Sequence, residues 1–327
     1  FPVDKKIIKN KKTKIYKKTL SRINITDKNG KKHKGNVLTS IKNFKILDCE
    51  NCKFIHCHPI PDKKKLDLFY KKKFYSYNRK KKYFSNQMKQ INWWNKIFER
   101  RLEKFKTILN KKGSIIDIGC GPGFFLKTAN KNGWKVSGID PSSLAITYAK
   151  QKLKLKNVKT LDYEDLIYEK KKYDVVYTNG VIEHLENPKK FLDVLFKILK
   201  KKGLIFLSAA NDFNIFQYMS LKKSKTPWWI VPPEHINYFR VNDINKIFDK
   251  KKFKLKYLNT TFPIEMFLLM GDNYIKDKKM GKLSHLRRTS FEKNFDTLEM
   301  LDYREKIYNN FASLGLGRAI EIIVQKK

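Results

Sequence analysis

The chain has 327 residues, 41% of them hydrophobic and 13% aromatic, and a formal net charge of +42. This length suggests about two structural units, and the composition excludes a disordered chain. Four cysteines exclude a disulfide scaffold in so long a chain, and the lack of any run of about 18 apolar residues argues against a transmembrane helix.

A charge of this size resembles a nucleic-acid footprint. Of the 73 basic residues, however, nine are Arg and 64 are Lys, whereas Arg is the usual reader of phosphates and bases. The lysines lie in short runs along the whole chain, among abundant Asn, Ile, Tyr and Phe, as an AT-rich genome would leave them. The charge is therefore read as solvated Lys drift, with a polyanionic partner (RNA, an acidic glycan or a membrane surface) as the alternative. No secretory signal is visible and Cys120 sits inside a glycine-rich loop, so a reducing, cytoplasmic setting is expected. The start at Phe1 rather than Met points to residues upstream, and no motif sets the oligomeric state.

Residues 1–45 are Lys-rich with scattered β-branched residues, a pattern that allows a small ragged β-unit or partial disorder. A Cys/His cluster follows at 46–60, then a Lys/Tyr/Phe-rich stretch at 62–86 with a short helix predicted near 64–70. Ile91, Trp94, Ile97, Phe98, Leu102, Phe105 and Leu109 recur at helical spacing, predicting an amphipathic helix over 91–109, ended by Gly113. From Ser114 strands and helices alternate, the mark of a parallel α/β sheet. Strands are predicted at 114–118, 135–139, 158–161, 173–178, 204–208, 253–258 and 318–325. Helices are predicted at 124–132, 142–153, 188–199 and 244–251. Residues 1–86 thus read as an N-terminal basic appendage and 87–327 as the main domain, with a lid or substrate segment at 213–240 and an insertion at 265–312.

The run from Ser114 to Phe125 carries the sharpest signal. A buried strand ends in Gly119, Gly121 and Gly123 and a helix follows at once, so the backbone can turn sharply and a ligand can lie against it. A dinucleotide fingerprint is Gly-x-Gly-x-x-Gly, which leaves room for a pyrophosphate. Here the third glycine comes one residue early and Asp117 precedes the loop. That spacing suits S-adenosylmethionine, which has no phosphate and whose methionyl ammonium wants a partner such as Asp117. Asp140 ends the second strand about twenty residues on, where a carboxylate accepts both ribose hydroxyls. Asp162 could accept from the adenine amino group, with the Tyr163 backbone completing the adenine edge. Helix N-capping and turn polarity are the plainer roles for Asp140 and Asp162.

With these residues the sequence resembles the class I S-adenosylmethionine-dependent methyltransferases over roughly residues 90–325. "IIDIGCGPGFF", "VSGIDPS", "LDYEDL", "YDVVYTNGVIEHLENP" and "LKKKGLIFLSAAN" follow that family's motifs in order. The resemblance implies a Rossmann-like α/β fold, with helices on both faces of a seven-stranded, mostly parallel sheet whose last strand is antiparallel. It implies that Asp117, Gly119, Gly121 and Gly123 contact the methionyl part, that Asp140 binds ribose, that Asp162 and Tyr163 flank adenine, and that Asn179 lines the pocket. The Glu-His-Leu phrase is shared with the ubiquinone-pathway O-methyltransferases and with many unrelated members.

The segment "LDCENCKFIHCHPIPDKKKLDLFYKKKFYS" also resembles the N-terminal zinc-ribbon segment of methyltransferases associated with sugar and surface-glycan pathways. "PPEHINYFRVNDINKIFDKKKFKL" and "LGLGRAIEIIVQKK" are similar to the C-terminal half of that group. The group's first Cys-x-x-Cys knuckle is missing here, since no Cys lies within residues 1–30. Cys49 and Cys52 remain as candidate zinc ligands of a degenerate knuckle, with His56, Cys57 and His58 close behind and His33 a further candidate. Zinc takes four ligands, and the alternative is that these cysteines are small buried hydrophobes.

Methyl transfer is an in-line displacement, so an enzyme mainly aligns the acceptor and removes its proton. His235, in the aromatic and Pro-rich segment before 244, is the first candidate for the base. His184, just after the fourth strand, is the second, with a structural hydrogen bond as its alternative role. Glu183 and Glu234 could orient an imidazole or bind a sugar hydroxyl. The aromatics of 213–239 could stack on a substrate or pack in the core, and Arg287 and Arg288 could bind a phosphate or belong to a solvated basic loop. The expected activity is methyl transfer to a small-molecule acceptor, a hydroxyl of a sugar, glycan precursor or similar metabolite. RNA methylation, a quinone-pathway O-methylation and non-catalytic S-adenosylmethionine binding are the alternatives.

Overall fold

The computed structural model describes residues 21–62, Leu66, 87–225 and 227–327. The helix predicted near 64–70 lies outside the described residues except for Leu66, which is buried.

The N-terminal unit is β throughout. Strands β1 (Arg22–Thr26), β2 (Lys32–Ile41), β3 (Phe44–Cys49) and β4 (Phe54–His58) form an antiparallel meander. Alternation sends Val37, Leu47 and Cys49 to one face, and Ile46, Ile55 and Cys57 to the other. Helix α1 (Ile91–Leu109) then leads into the main domain, where Phe98, Leu102 and Phe105 form its buried stripe. It ends at Asn110 in the left-handed region.

The main domain runs β5 (Ser114–Ile118), α2 (Phe124–Lys131), β6 (Lys135–Asp140), α3 (Ser143–Gln151), β7 (Val158–Thr160), β8 (Tyr173–Asn179), α4 (Pro188–Ile198) and β9 (Leu199–Ala210). After α5 (Ile215–Ser224) come β10 (Asn237–Tyr238), β11 (Phe253–Thr260), α6 (Glu265–Leu269), α7 (Lys278–Lys293), α8 (Leu298–Ser313) and β12 (Ala319–Lys326). Its sheet has seven strands in the order β11-β12-β9-β8-β5-β6-β7. Strands β9, β8, β5, β6 and β7 are parallel, and β12 is antiparallel to both its neighbours. The expected mostly parallel sheet with an antiparallel last strand is thus present. Side-chain caps fix several helix starts: Ser142 accepts from Ala145 N–H and Asn187 from Lys190 N–H, with Pro188 in the first turn of α4.

The helix predicted over 244–251 is not formed. Only a 3₁₀ turn, Ile244–Ile247, is present. Asp249 diverts the chain: its side chain accepts from Lys251 N–H at 2.8 Å, and its carbonyl accepts from Lys252 and Phe253. That local bonding competes with helix and turns the backbone into β11.

The two units share a sheet. Strand β10 pairs antiparallel with β4, Asn237 opposite His56, and makes the N-terminal sheet five-stranded. Phe213, Trp229, Ile230, Ile236 and Tyr238 pack with Ile46, Ile55 and Cys57 in one core cluster. The aromatic segment that could have stacked on substrate therefore cements the two units.

Candidate active site and metal centre

The larger cavity, about 570 Å³, lies where β5, β6 and β8 end. Such carboxyl ends are the ligand crevice of open α/β sheets. Gly119 borders it at φ +74°, and a Cβ there would stand 2.6 Å from Val181 Cγ2, so only glycine keeps this turn and this wall. Asp140 is buried at the rim. Its Oδ2 accepts from Gly121 N–H and its Oδ1 from Ser142 N–H, both at 2.9 Å, so one carboxylate ties the glycine loop to the start of α3. Burial raises its carboxyl to about 6. Asp162 and Tyr163 border the same cavity after β7. Asp162 accepts from Glu164 N–H at 3.2 Å, and the Tyr163 ring meets Phe191 edge-on. Asp117, Gly121 and Gly123 shape the loop from behind rather than lining the cavity. Burial, and then repulsion from Asp140, pushes the Asp117 carboxyl well up.

A second cavity, about 290 Å³, adjoins the first at Gly180 and is bordered by Asn179, Glu183 and Ser208 at the ends of β8 and β9. Its far wall comes from α1, α7 and α8. Glu183, His184 and His235 converge between the two cavities, with one donor atom from each within 4.8 Å of the others. Glu183 faces the small cavity and His184 the large one, while His235 packs its ring on His184 at 4.8 Å and borders neither. His184 Nδ1 is bound to the Glu234 carbonyl at 2.7 Å. Burial holds His184 down at about 4; burial and then His184 hold His235 at about 3, so both imidazoles are neutral at pH 7. Glu183 is the reverse case. It is fully desolvated with one carboxylate oxygen unpartnered, and burial lifts it to about 7. Among these three groups the carboxyl, and neither imidazole, is the one poised near neutrality.

In the N-terminal sheet His33, Cys49, Cys52 and His56 gather, with one donor atom from each within 4.8 Å of the others. Nδ1 of His33 is 3.7 Å from Cys49 Sγ, 3.5 Å from Cys52 Sγ and 3.0 Å from His56 Nε2. Ligands on a tetrahedral zinc of ordinary bond lengths sit about 3.3–3.8 Å apart. The outer nitrogens are also held: His33 Nε2 meets Asp27 Oδ2 at 3.2 Å and His56 Nδ1 meets the Cys57 carbonyl at 3.0 Å, the arrangement that fixes metal-binding imidazoles. The donor set and the two sulfur spacings therefore fit zinc, while the two imidazole nitrogens stand a few tenths of an ångström closer than on a bound ion. Cys49 ends β3 and Cys52 lies in the turn to β4; both were candidate ligands in the sequence. The completing pair was harder to see because it is not a second knuckle. His56 comes from β4, while His33 comes from β2, two residues before Gly35, which pairs with Cys49. A Cβ on Gly35 would fall 2.0 Å from the Asp48 carbonyl oxygen, so glycine lets the strands close on the site. Cys57, one residue from His56, points to the opposite face into the apolar core.

Comparison with known proteins agrees with this architecture. Residues 89–258 match the family model described as a methyltransferase domain. A ubiquinone biosynthesis O-methyltransferase of Rickettsia bellii is 33% identical over 57% of this chain and 83% of its own length. The mitochondrial enzyme of the same name from Dictyostelium discoideum is 30% identical over 49% of this chain, and one from Pelagibacter ubique is 34% identical over 31%. The chain spans about half the length of these two relatives, 56% and 43%. Among solved structures, the plantazolicin methyltransferase BamL in complex with a triazolic desmethylPZN analog and SAH aligns with a TM-score of 0.50 at 15% identity, over 80% of this chain and 94% of that one. Magnesium protoporphyrin IX methyltransferase from Synechocystis, with bound SAH, gives 0.50 at 14% identity, over 80% and 100%. At these identities the structural likeness speaks for the fold.

Proposed function

The chain belongs to the methyltransferase domain family, and we propose that it transfers the methyl group of S-adenosylmethionine to a hydroxyl of a small-molecule acceptor. The observation that carries this reading is the junction of the two cavities at Gly180, with Asp140 at the rim of one and Glu183 facing the other. In the large cavity Asp140 accepts from the ribose hydroxyls, Asp162 and Tyr163 border the adenine, and Gly119 lies against the cofactor. Asp117, Gly121 and Gly123 hold the loop in that shape, and Asn179 borders the reacting end. In the small cavity Glu183, as carboxylate, takes the acceptor proton. His184 and His235 pack beside it as neutral rings, and His235 acts as the base only if Glu183 does not.

The acceptor class rests on two supports that differ. The N-terminal segment resembles that of sugar- and glycan-pathway enzymes, while the relatives' names favour a phenolic quinone precursor. Both are small hydroxyl compounds, a class that a cavity of this size takes. An RNA methyltransferase would call for a long cationic groove with stacking aromatics, and an acceptor cavity of about 290 Å³ favours the small molecule. The zinc proposal is structural: His33, Cys49, Cys52 and His56 use up four ligand positions, leaving none for substrate. The segment 213–240 supplies β10 and the 265–312 insertion supplies the wall of the acceptor cavity.

The test is transfer of labelled methyl from S-adenosylmethionine to panels of sugars, sugar nucleotides and phenols. Label appearing in a small-molecule acceptor supports the reading. Tight cofactor binding with no transfer to any member of the panels would favour the non-catalytic alternative.

A further inference from the structure

We propose that the small cavity recognises its acceptor by an anionic group, a phosphate or a carboxylate, held by Arg288 and Arg304. The proposal rests on the methyl-transfer reading and names the acceptor class for that same site. In a chain with 64 Lys and nine Arg, five of the nine (Arg100, Arg101, Arg288, Arg304 and Arg318) border this one cavity. If codon drift had set the choice of base here, lysine would predominate. Arg persists where a planar fork of donors is needed for a carboxylate or phosphate.

Three of the five are already matched. Arg101 Nε bonds Glu321 at 3.0 Å, Arg100 meets Asp296 at 3.2 Å, and Arg318 meets Asp212 and Glu265 at 3.4 and 3.5 Å. The other two keep donors to spare. Arg304 pairs at 3.4 Å with its chain neighbour Glu305 and lies 4.5 Å over the Tyr308 ring, but its Nε is buried without a partner. Arg288 makes no ion pair among the described residues. Its guanidinium lies 4.8 Å over the Trp93 ring, one Nη contacts His285 Nδ1 at 3.0 Å, and its Nε too is buried without a partner. The nearby carboxylate, Glu292, spends one oxygen on Trp93 Nε1 at 3.0 Å and the other on the Tyr308 hydroxyl at 3.1 Å. A guanidinium offers five donors, and one as desolvated as Arg288 without an ion pair is costly. An incoming anion would satisfy both at once.

Two anions could reach the cavity: one on the acceptor, and the carboxylate of the cofactor's own methionyl group. The acceptor is favoured because Arg288 and Arg304 come from α7 and α8, outside the stretch 89–258 that matches the methyltransferase domain and contains the cofactor loop. The anion would then sit against α7 and α8, with the hydroxyl directed toward Glu183 at the Gly180 junction.

The test is calorimetry of the full chain saturated with S-adenosylhomocysteine, titrated with inorganic phosphate and separately with benzoate at constant ionic strength. Saturable binding of one of these probes is expected, weakened about tenfold or more in Arg288→Gln and in Arg304→Gln, with S-adenosylhomocysteine affinity little changed. Arg288→Lys should restore only part of the binding. Circular dichroism identifies a variant that fails to fold, and the other variant then decides. No saturable anion binding, or unaltered binding in both folded variants, overturns the proposal. A parallel loss of S-adenosylhomocysteine affinity in both overturns it too, since the anion is then the cofactor's. Failure of S-adenosylhomocysteine to bind the parent chain counts against the methyl-transfer reading instead, and the same titrations on the ligand-free chain then decide this one.

Discussion

At the scale of residues, the assignment of the base turns on desolvation. Burial disfavours whichever form is charged, so it pushes carboxyls up and imidazoles down. His184 at about 4 and His235 at about 3 stay neutral across the physiological range, and Glu183 at about 7 changes charge within it. The catalytically useful form of Glu183 is the carboxylate, which is populated as pH rises through its pKa. The rate of methyl transfer is therefore expected to climb with pH through about 7 and then level off, measured as kcat/KM from pH 5.5 to 8.5. Glu183→Gln should remove that limb together with most of the activity. His235→Ala should lower turnover by altered packing yet keep the limb. A limb that survives in Glu183→Gln and vanishes in His235→Ala would return the role to histidine. The sequence marked all three residues by their place after β8 and before 244. It could not rank them, because rank depends on enclosure that only the packed structure supplies.

At the scale of elements, strand β10 joins the proposed metal centre and the proposed active site. Its two residues pair with β4 beside His56. Asn237 Nδ2 donates to the carbonyls of Ile182 and Leu185, and Ile236 N–H to that of Glu183. The β1–β2 turn reaches the other way: Asp27 fixes the turn through Asn29 and Lys31 N–H, contacts His33, and borders the cofactor cavity. Zinc analysis of the purified chain is expected to give one ion per chain. Cys52→Ser and His56→Ala should lose it and lower Tm, while Cys57→Ser keeps it. Asp27→Ala should weaken zinc affinity about 10–100-fold. Equal loss in Cys57→Ser would contradict the ligand set. Removing zinc with a chelator should also weaken S-adenosylhomocysteine binding, since the turn lining the cavity loses its anchor. Short buried runs gave away β5, β6 and β8, and helical spacing of apolar residues gave away α1. The His33–His56 pairing was hidden because it is set by strand register across the meander, and the 244–251 helix was misread because Asp249 turns the chain within an apparently helical stretch.

At the scale of the whole molecule, the net charge of +42 divides into two populations. Lys is dispersed over the surface, whereas Arg is concentrated at the small cavity. A dispersed charge attracts polyanions weakly and salt screens it. Short single-stranded RNA is accordingly expected to show no saturable binding at physiological salt in a fluorescence anisotropy titration; tight, steeply salt-dependent binding would favour an RNA acceptor. The succession of strands and helices and the glycine loop were legible in the sequence because they depend on local spacing, and the antiparallel last strand was implied by the family resemblance. The acceptor cavity was not, because its walls come from α1, α7 and α8, which lie far apart in the chain. In the proposed function the crevice at the ends of β5 and β6 holds S-adenosylmethionine through Asp140. Calorimetric titration of S-adenosylhomocysteine into the parent chain and into Asp140→Ala tests it most directly. One site per chain is expected, weakened about a hundredfold or more in the variant by the loss of two charge-assisted hydrogen bonds. No saturable binding to the parent, or equal affinity in the variant, would contradict it.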